Sequence, residues 1–564
     1  MNHTVPDPEP VWAVKHPWFS VTAACLLLFF FGFCETGNLR PGSYLYVGAV
    51  LLLFLARLAF RGTLFKSAGK RWLFFLYASA CMITALVLIY ANGHSTALML
   101  WLFLLMPGMY AILLYSRGQL DDRRAAALLI AAGIMLRFVY ILYTDSGSRQ
   151  HDVNNWSGNT GHAGYILYWF QNGLKLPDFD IRTRWQYYQP PLHHWLMALT
   201  LRLFTGCGME FITACEALQV LPFLYACLIL VVCERLFRQV GLDGLPLVTA
   251  MAILCFHPTF VLMGGNFGND LLSVLFMLLT LLFALRWYEE PTMRRILPIA
   301  FSIGLGMMAK LSAWMAAPAV ALLFLVVLIR SRESWKSLLA QFVLFGLICI
   351  PLGLWWQIRN YAAFDVPLTY IPRLPMTNPQ YCGNLSAAKR LFDFGGDQLR
   401  FVYFALTMYG APYCEFNPTL GLFKSALFDE CVNGVSALNF PAITVTGPIL
   451  FWTGTALGLL SFGAFVFVMM RRGTGLDGVR RAFFTVFALT LLLCFYLFCF
   501  AYPYACTMNI RYCAALIPVF AMGLGLLLKH CAGGSPAQRV LRYVSVGLAA
   551  LFAFISCMVY TQIG

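Results

Sequence analysis

Between Thr144 and His194 a polar interval interrupts an otherwise apolar chain and gathers Arg149, His151, Asp152, His162, Asp178, Asp180, His193 and His194. Asp152 follows closely on an apolar run, at a membrane surface. A carboxylate there could take the proton of an acceptor hydroxyl while that oxygen attacks an activated sugar carbon, a general-base role. The same residue could instead cap a helix starting near Asn154 or pair with Arg149, and spacing alone does not separate these readings. His151 is a hydrogen-bond donor, a metal ligand or a surface histidine. None of His151, His162, His193 and His194 has the spacing of a preformed metal site, so no metal or other cofactor is expected, although a divalent ion is conceivable. Adjacent His193 and His194 point to different faces of a helix, so at most one faces a shared site.

A second signal is charge at membrane depth, which is costly and therefore a functional hypothesis by default. Lys310 in GLGMMAKLSAW and Arg511 in NIRYCAALIPV each lie at the outer end of an apolar run. Two cations at that depth could hold a lipid phosphate and stabilise it as a leaving group, or they could snorkel to the interface. Arg137, inside a run, could pair with Asp152 or Asp270 or snorkel. Asn266, Asn269 and Asp270 stand where a helix begins and suit its cap. Arg359 and Asn360 open the second long polar interval, Arg359 as an interfacial anchor or a substrate contact.

The elements that must position these residues are membrane helices. The chain has 564 residues, 60% of them hydrophobic and 11% charged, with a mean hydropathy of +0.73. Apolar runs of about 20 residues cross a bilayer, and backbone hydrogen bonding leaves helices or closed barrels as the spanning structures. The runs lack the alternation of a barrel, so the expected fold is an all-α polytopic membrane protein. About fifteen spans are expected, near 18–35, 43–60, 72–92, 96–115, 125–143, 213–233, 245–263, 271–287, 296–311, 313–330, 338–357, 447–470, 482–501, 512–529 and 540–561. His194 to Phe204 is too short to span and reads as an interfacial helix started by Pro190–Pro191.

The formal charge of +15 comes from Lys and Arg clustered at the ends of apolar runs, which is a topology signal and not a nucleic-acid footprint. All short basic loops fall on one side if these spans hold, and that side is cytoplasmic. Two large extracytoplasmic loops, 144–212 and 358–446, then share the other side. Three segments follow: an N-terminal four-helix segment 1–118, a catalytic core 119–446 with both loops, and a C-terminal four-helix segment 447–564. No cleavable signal peptide is evident, and multi-pass insertion in the plasma (cytoplasmic) membrane is expected. Of 18 cysteines, Cys382, Cys414 and Cys431 share the second loop and could pair.

Taken together, Asp152 after a first core span, GHAGYILYWFQNGLKLP, YQPPLHHWL, GNDLLSVLFML, GLGMMAKLSAW, WWQIRNYAAFDVPL and NIRYCAALIPV resemble the GT-C class of membrane glycosyltransferases. The likeness is to the bacterial branch of glycosyltransferase family 39, related to protein O-mannosyltransferases and aminoarabinose transferases. It covers roughly 120 to 530. The resemblance implies a GT-C fold, a polyprenyl-phosphate sugar donor entering from the bilayer, a protein or glycan acceptor, and inversion at the anomeric carbon. It implies Asp152 as catalytic base, Lys310 and Arg511 on the donor phosphate, and Tyr188 and Gln189 in the cavity wall. His151, His162, His193, Asn269, Asp270 and Arg359 complete the expected cavity. The chain departs from the pattern in following Asp152 with Val153 and Asn154, where relatives often carry a second acid. It also has Gln189 where relatives place a basic residue before Pro-Pro. The alternatives are a transporter or flippase of a lipid-linked sugar and a non-catalytic factor of surface-glycan assembly. The polar residues gather at one face and no internal repeat is seen, unlike the usual transporter plan.

Overall fold

The computed structural model describes residues 118–560 apart from positions 143, 148, 174, 407–412 and 431–442, with residues 107, 111, 114 and 115 before them. The first three expected spans of segment 1–118, the fourth apart from those four residues, and Cys431 lie outside the described residues. Within them the secondary structure is helical and no strand occurs, only an isolated antiparallel bridge between Tyr381 and Tyr504.

Helices stand at all eleven remaining expected positions. Eight are long and apolar enough to cross a membrane, and a ninth span results if Gly244–Cys255 and Pro258–Gly265, bent by 52° at their break, are counted together. The protein is therefore a multi-pass integral membrane protein. Two expected spans are shorter, Met293–Ala309 with 17 residues and Leu516–His530 with 15, so among the described residues eight or nine of the eleven expected spans have the length and hydropathy to cross a membrane.

Eight helices position the site. α1 (Asp122–Leu142) leads into the first loop, where α2 (Gly161–Gln171) packs on α3 (Leu192–Gly206). Pro191 is the N-cap of α3, where its missing N–H costs nothing. α4 (Asp270–Glu289) packs on α5 (Met293–Ala309), which also packs on α6 (Trp335–Phe364). α7 (Pro418–Phe428) belongs to the second loop, and α8 (Gly478–Ala501) precedes the segment bearing Arg511. The close approach of α5 to α4 rests on Gly306. A Cβ there would stand 3.0 Å from that of Phe276 and 2.9 Å from that of Ala313, and small residues are what let membrane helices approach.

α6 corrects one expectation. It runs to Phe364, so Arg359 and Asn360 sit in its last turns and not in a loop. Nothing between Trp356 and Phe364 breaks a helix. It stops at Asp365, whose φ of 53° is left-handed and whose N–H bonds back to the Tyr361 carbonyl at 2.9 Å.

The two ends of the bundle differ. One end carries ion pairs between helices, Arg238 with Asp122 at 3.0 Å and Lys529 with Asp243 at 2.6 Å. The other carries both long loops in mutual contact, His151 bonding to Asp429 at 2.8 Å, and Arg182 of the first loop donates to the carbonyl of Phe364, the last residue of α6, at 3.0 Å. The second loop is pinned to the segment after α8 by Cys382 N–H to Pro503 O at 2.9 Å and Ala505 N–H to Gln380 O at 3.0 Å. Cys382 is a free thiol.

Arg137 is fully buried and directs its guanidinium to the carbonyls of Gly133, Leu254 and Cys255, where the bent pair breaks. The open carbonyls of a helix end are a suitable partner for a cation. It does not snorkel, because the broken helix supplies acceptors at depth.

Candidate active site between the two loops

Asp152 stands in a short irregular stretch whose backbone is set by α2. The first turn of any helix has N–H groups without intrahelical partners. Here the N–H groups of His162 and Ala163 donate to the carbonyls of Asp152 and Val153 at 2.8 and 3.0 Å. Gly161 makes this docking possible. Its φ is +75°, and a Cβ would lie 2.6 Å from both carbonyl oxygens. Asp152 itself has a φ of 53°, as Asp tolerates better than most residues. Its carbonyl is thereby occupied, while its carboxylate is exposed and makes no hydrogen bond or ion pair with any described residue.

That carboxylate lines a cavity of about 630 Å³ enclosed by both loops, the end of α5 and the segment after α8. Lys310 reaches it from the C-cap of α5. Its ammonium pairs with Asp270 at the start of α4 and lies 5.1 Å from the centre of the Tyr512 ring. Arg511 approaches the same ring, 4.9 Å from its centre, and donates to the Tyr512 hydroxyl at 2.9 Å. One tyrosine therefore carries both cations. Trp314, Met315, Cys494, Phe495 and Phe498 continue the wall in apolar residues along two membrane helices.

His151, His162, Tyr188, Gln189, Asn269 and Asp270 all line the cavity with Asp152, Lys310 and Arg511. Asn269 occupies the N-cap position of α4 without capping it; its amide donates to the Ala309 carbonyl at 2.7 Å and to Gln189 at 3.2 Å. It thus ties the YQPP turn to the end of α5 beside Lys310. Asn266 accepts from the Gly268 N–H at 2.7 Å.

Two expected residues are not in the lining. His193 bonds to the Phe267 carbonyl at 2.9 Å. Arg359 meets the Pro177 carbonyl and Asn360 Oδ1 and stacks 4.8 Å from the Phe364 ring centre, anchoring the first loop on α6. Behind the wall His194 Nε2 stands 2.8 Å from His162 Nδ1, with the rings 7° from parallel. Burial depresses both imidazoles, His162 to about 3, so the pair is neutral and shares one proton donor. Among the described residues no group of three His, Cys, Asp or Glu is arranged to hold a metal ion.

Sequence reasoning missed Asp429 and Glu430, at the end of α7. His151 bonds through Nε2 to Asp429 at 2.8 Å and through Nδ1 to Glu430. Burial and Arg511 both disfavour a charged His151, yet the two carboxylates outweigh them and hold its pKa up at about 10. Burial raises Asp429, but His151 and the Asn509 amide more than reverse this and hold it below the carboxylate range. Only the local Asp-Glu doublet was visible in the sequence, without a pointer to its partner.

Residues 188–356, from Tyr188 of the YQPP turn to Trp356 on α6, match the family described as dolichyl-phosphate-mannose-protein mannosyltransferase. The chain carries a domain of that family. It is a membrane glycosyltransferase using a polyprenyl-phosphate sugar donor. The matched stretch includes Lys310, Asn269 and Asp270, while Asp152, Arg359 and Arg511 lie outside it. No curated protein matches the chain.

Proposed function

We propose that this glycosyltransferase moves a sugar from its polyprenyl-phosphate donor to a hydroxyl of a protein or glycan on the extracytoplasmic face of the plasma membrane, with inversion and with Asp152 as base. The acceptor O–H gives its proton to Asp152 as its oxygen bonds to the anomeric carbon. The bond from that carbon to the phosphate oxygen breaks, and polyprenyl phosphate leaves. A single displacement inverts the centre. Negative charge grows on the leaving phosphate, where Lys310 and Arg511 stabilise it more in the transition state than in the donor.

The observation that carries this reading is one cavity containing an unpartnered carboxylate, Asp152, and two cations sharing the Tyr512 ring. Two like charges held this close favour an anion, and the apolar wall at Trp314 and Phe498 suits its lipid tail. The extracytoplasmic assignment draws on the clustering of short basic loops on the opposite side.

The test is transfer of labelled sugar from a panel of polyprenyl-phosphate donors in membranes bearing the native chain or Asp152→Asn. The expected result is consumption of one donor by the native chain, slowed about 10²-fold or more in the variant. Equal rates would remove Asp152 from the mechanism. Anomeric configuration of the product decides inversion, and accessibility of the product in sealed vesicles decides the face.

A further inference from the structure

His151 precedes Asp152 in the first loop, and Arg511 follows Asn509 in the segment after α8. Both meet the end of α7 in the second loop. Asp429 takes the Nε2 proton of His151 at 2.8 Å and an amide proton of Asn509 at 2.6 Å. Asn509 in turn accepts the Arg511 N–H at 2.9 Å, fixing the turn that aims the guanidinium. One oxygen of Glu430 serves both sides, meeting His151 Nδ1 and lying 3.5 Å from Arg511 Nη2. Since both partners of the ring are carboxylates, both ring nitrogens donate and the imidazole is charged. All five side chains are buried or nearly so.

The backbone bears a second mark of the same device. Asp429 has φ 54° and ψ 178°, a region that glycine occupies readily and other residues rarely. Strain there persists only where the surroundings over-determine it, and here four hydrogen bonds and ion pairs converge on two consecutive residues.

We propose that Asp429 and Glu430 are positioning residues for transfer: through His151 and Arg511 they hold the Asp152 loop and the phosphate-side turn in one register. This rests on the roles given above to Asp152 and Arg511. The pair touches neither reacting atom by this account. It determines the separation between the base and one cation, and a misplacement of about 1 Å can cost on the order of 10²-fold in rate.

The test uses the full chain in lipid nanodiscs, with hydrogen–deuterium exchange and transfer kinetics measured side by side. Asp429→Asn and Glu430→Gln should each speed exchange at the amides of His162 and Ala163, which report the Asp152 loop, and at that of Arg511. Each should lower kcat about 10²-fold. Asp429→Gly should melt no lower than Asp429→Asn, because its backbone is relaxed, and yet be as slow. That separates positioning from folding. The double variant His151→Gln/Glu430→Gln removes both charges and should recover about tenfold of the Glu430→Gln loss, since replacing both partners spares the unpaired group. Exchange changes confined to residues 418–430, or a folded Glu430→Gln with native kcat, would overturn the proposal. If the native chain transfers no sugar, the transferase reading fails alone, and the exchange pattern still decides whether the two segments are held together.

Discussion

Lys310 and Asp270 form an ion pair at the cavity wall, so an arriving phosphate must share its lysine with a resident carboxylate. The pair joins the end of α5 to the start of α4 and is largely buried. Resident pairing keeps the cation from standing unpaired between turnovers, when an isolated buried charge would be costly.

Replacing Lys310 should therefore have two separable effects. Lys310→Met should weaken donor binding by about 10- to 100-fold, the loss expected for a charge-assisted hydrogen bond of ~1.5–3 kcal/mol. It should also destabilise the fold, because Asp270 is left buried without its partner. Asp270→Asn combined with Lys310→Met should restore the melting temperature and leave donor binding weak. Restored donor binding in the double variant would show that Lys310 serves packing alone.

Gly161→Ala tests how Asp152 is held. A methyl group there meets two carbonyl oxygens at 2.6 Å, and the residue must also keep a φ of +75°. The left-handed backbone alone costs a non-glycine residue ~1–2 kcal/mol, so a total loss of about 2 kcal/mol or more is expected, together with slowed transfer. Gly206→Ala is the control, since a Cβ there meets nothing within 4 Å. Thermal melting of the two variants should separate them clearly, and equal melting would mean that α2 does not need its seat on the Asp152 carbonyl.

Arg359 should behave as an anchor. Its guanidinium holds the Pro177 carbonyl and packs on Phe364, outside the cavity. Arg359→Ala should lower stability by about 1–2 kcal/mol and leave the KM for donor within about twofold of native. Lys at this position would restore charge without the planar fork and should recover little stability. A large rise in donor KM with unchanged melting would return Arg359 to the substrate.

These residues also mark how far the chain could be read unaided. Lys310 and Arg511 announced themselves because a cation in an apolar run has few structural excuses, and both reach the cavity with Asp152. Helix positions were legible for the same reason, since hydrophobic length is written locally. Lengths were less so: α6 continues through Arg359 because no breaker intervenes before Asp365, whereas hydropathy falls earlier. The pairing of His151 with Asp429 was not legible at all. The two are 278 residues apart, and an acidic doublet in a polar loop has the same local appearance whether solvated or buried. Asn269 misled in a related way, because a residue type suited to capping was used instead to bridge two turns.

The same ionic cluster gives a pH dependence whose sign can be worked out. His151 has its pKa raised by folding, from 6.5 to about 10. Its contribution to stability is thus fully present below about pH 6.5 and is lost as pH rises through about 10. Asp429 has its pKa lowered by folding from 3.8, so its contribution is present above about pH 4 and is lost as pH falls further. Both terms are complete only between about pH 4 and 6.5. The difference in melting temperature between native and His151→Gln protein should therefore be largest and flat in that window, shrink steadily from pH 6.5 to 10, and shrink again in strong acid. A difference that grew toward alkaline pH would mean that His151 is buried neutral, and that Asp429 and Glu430 do not share its charge.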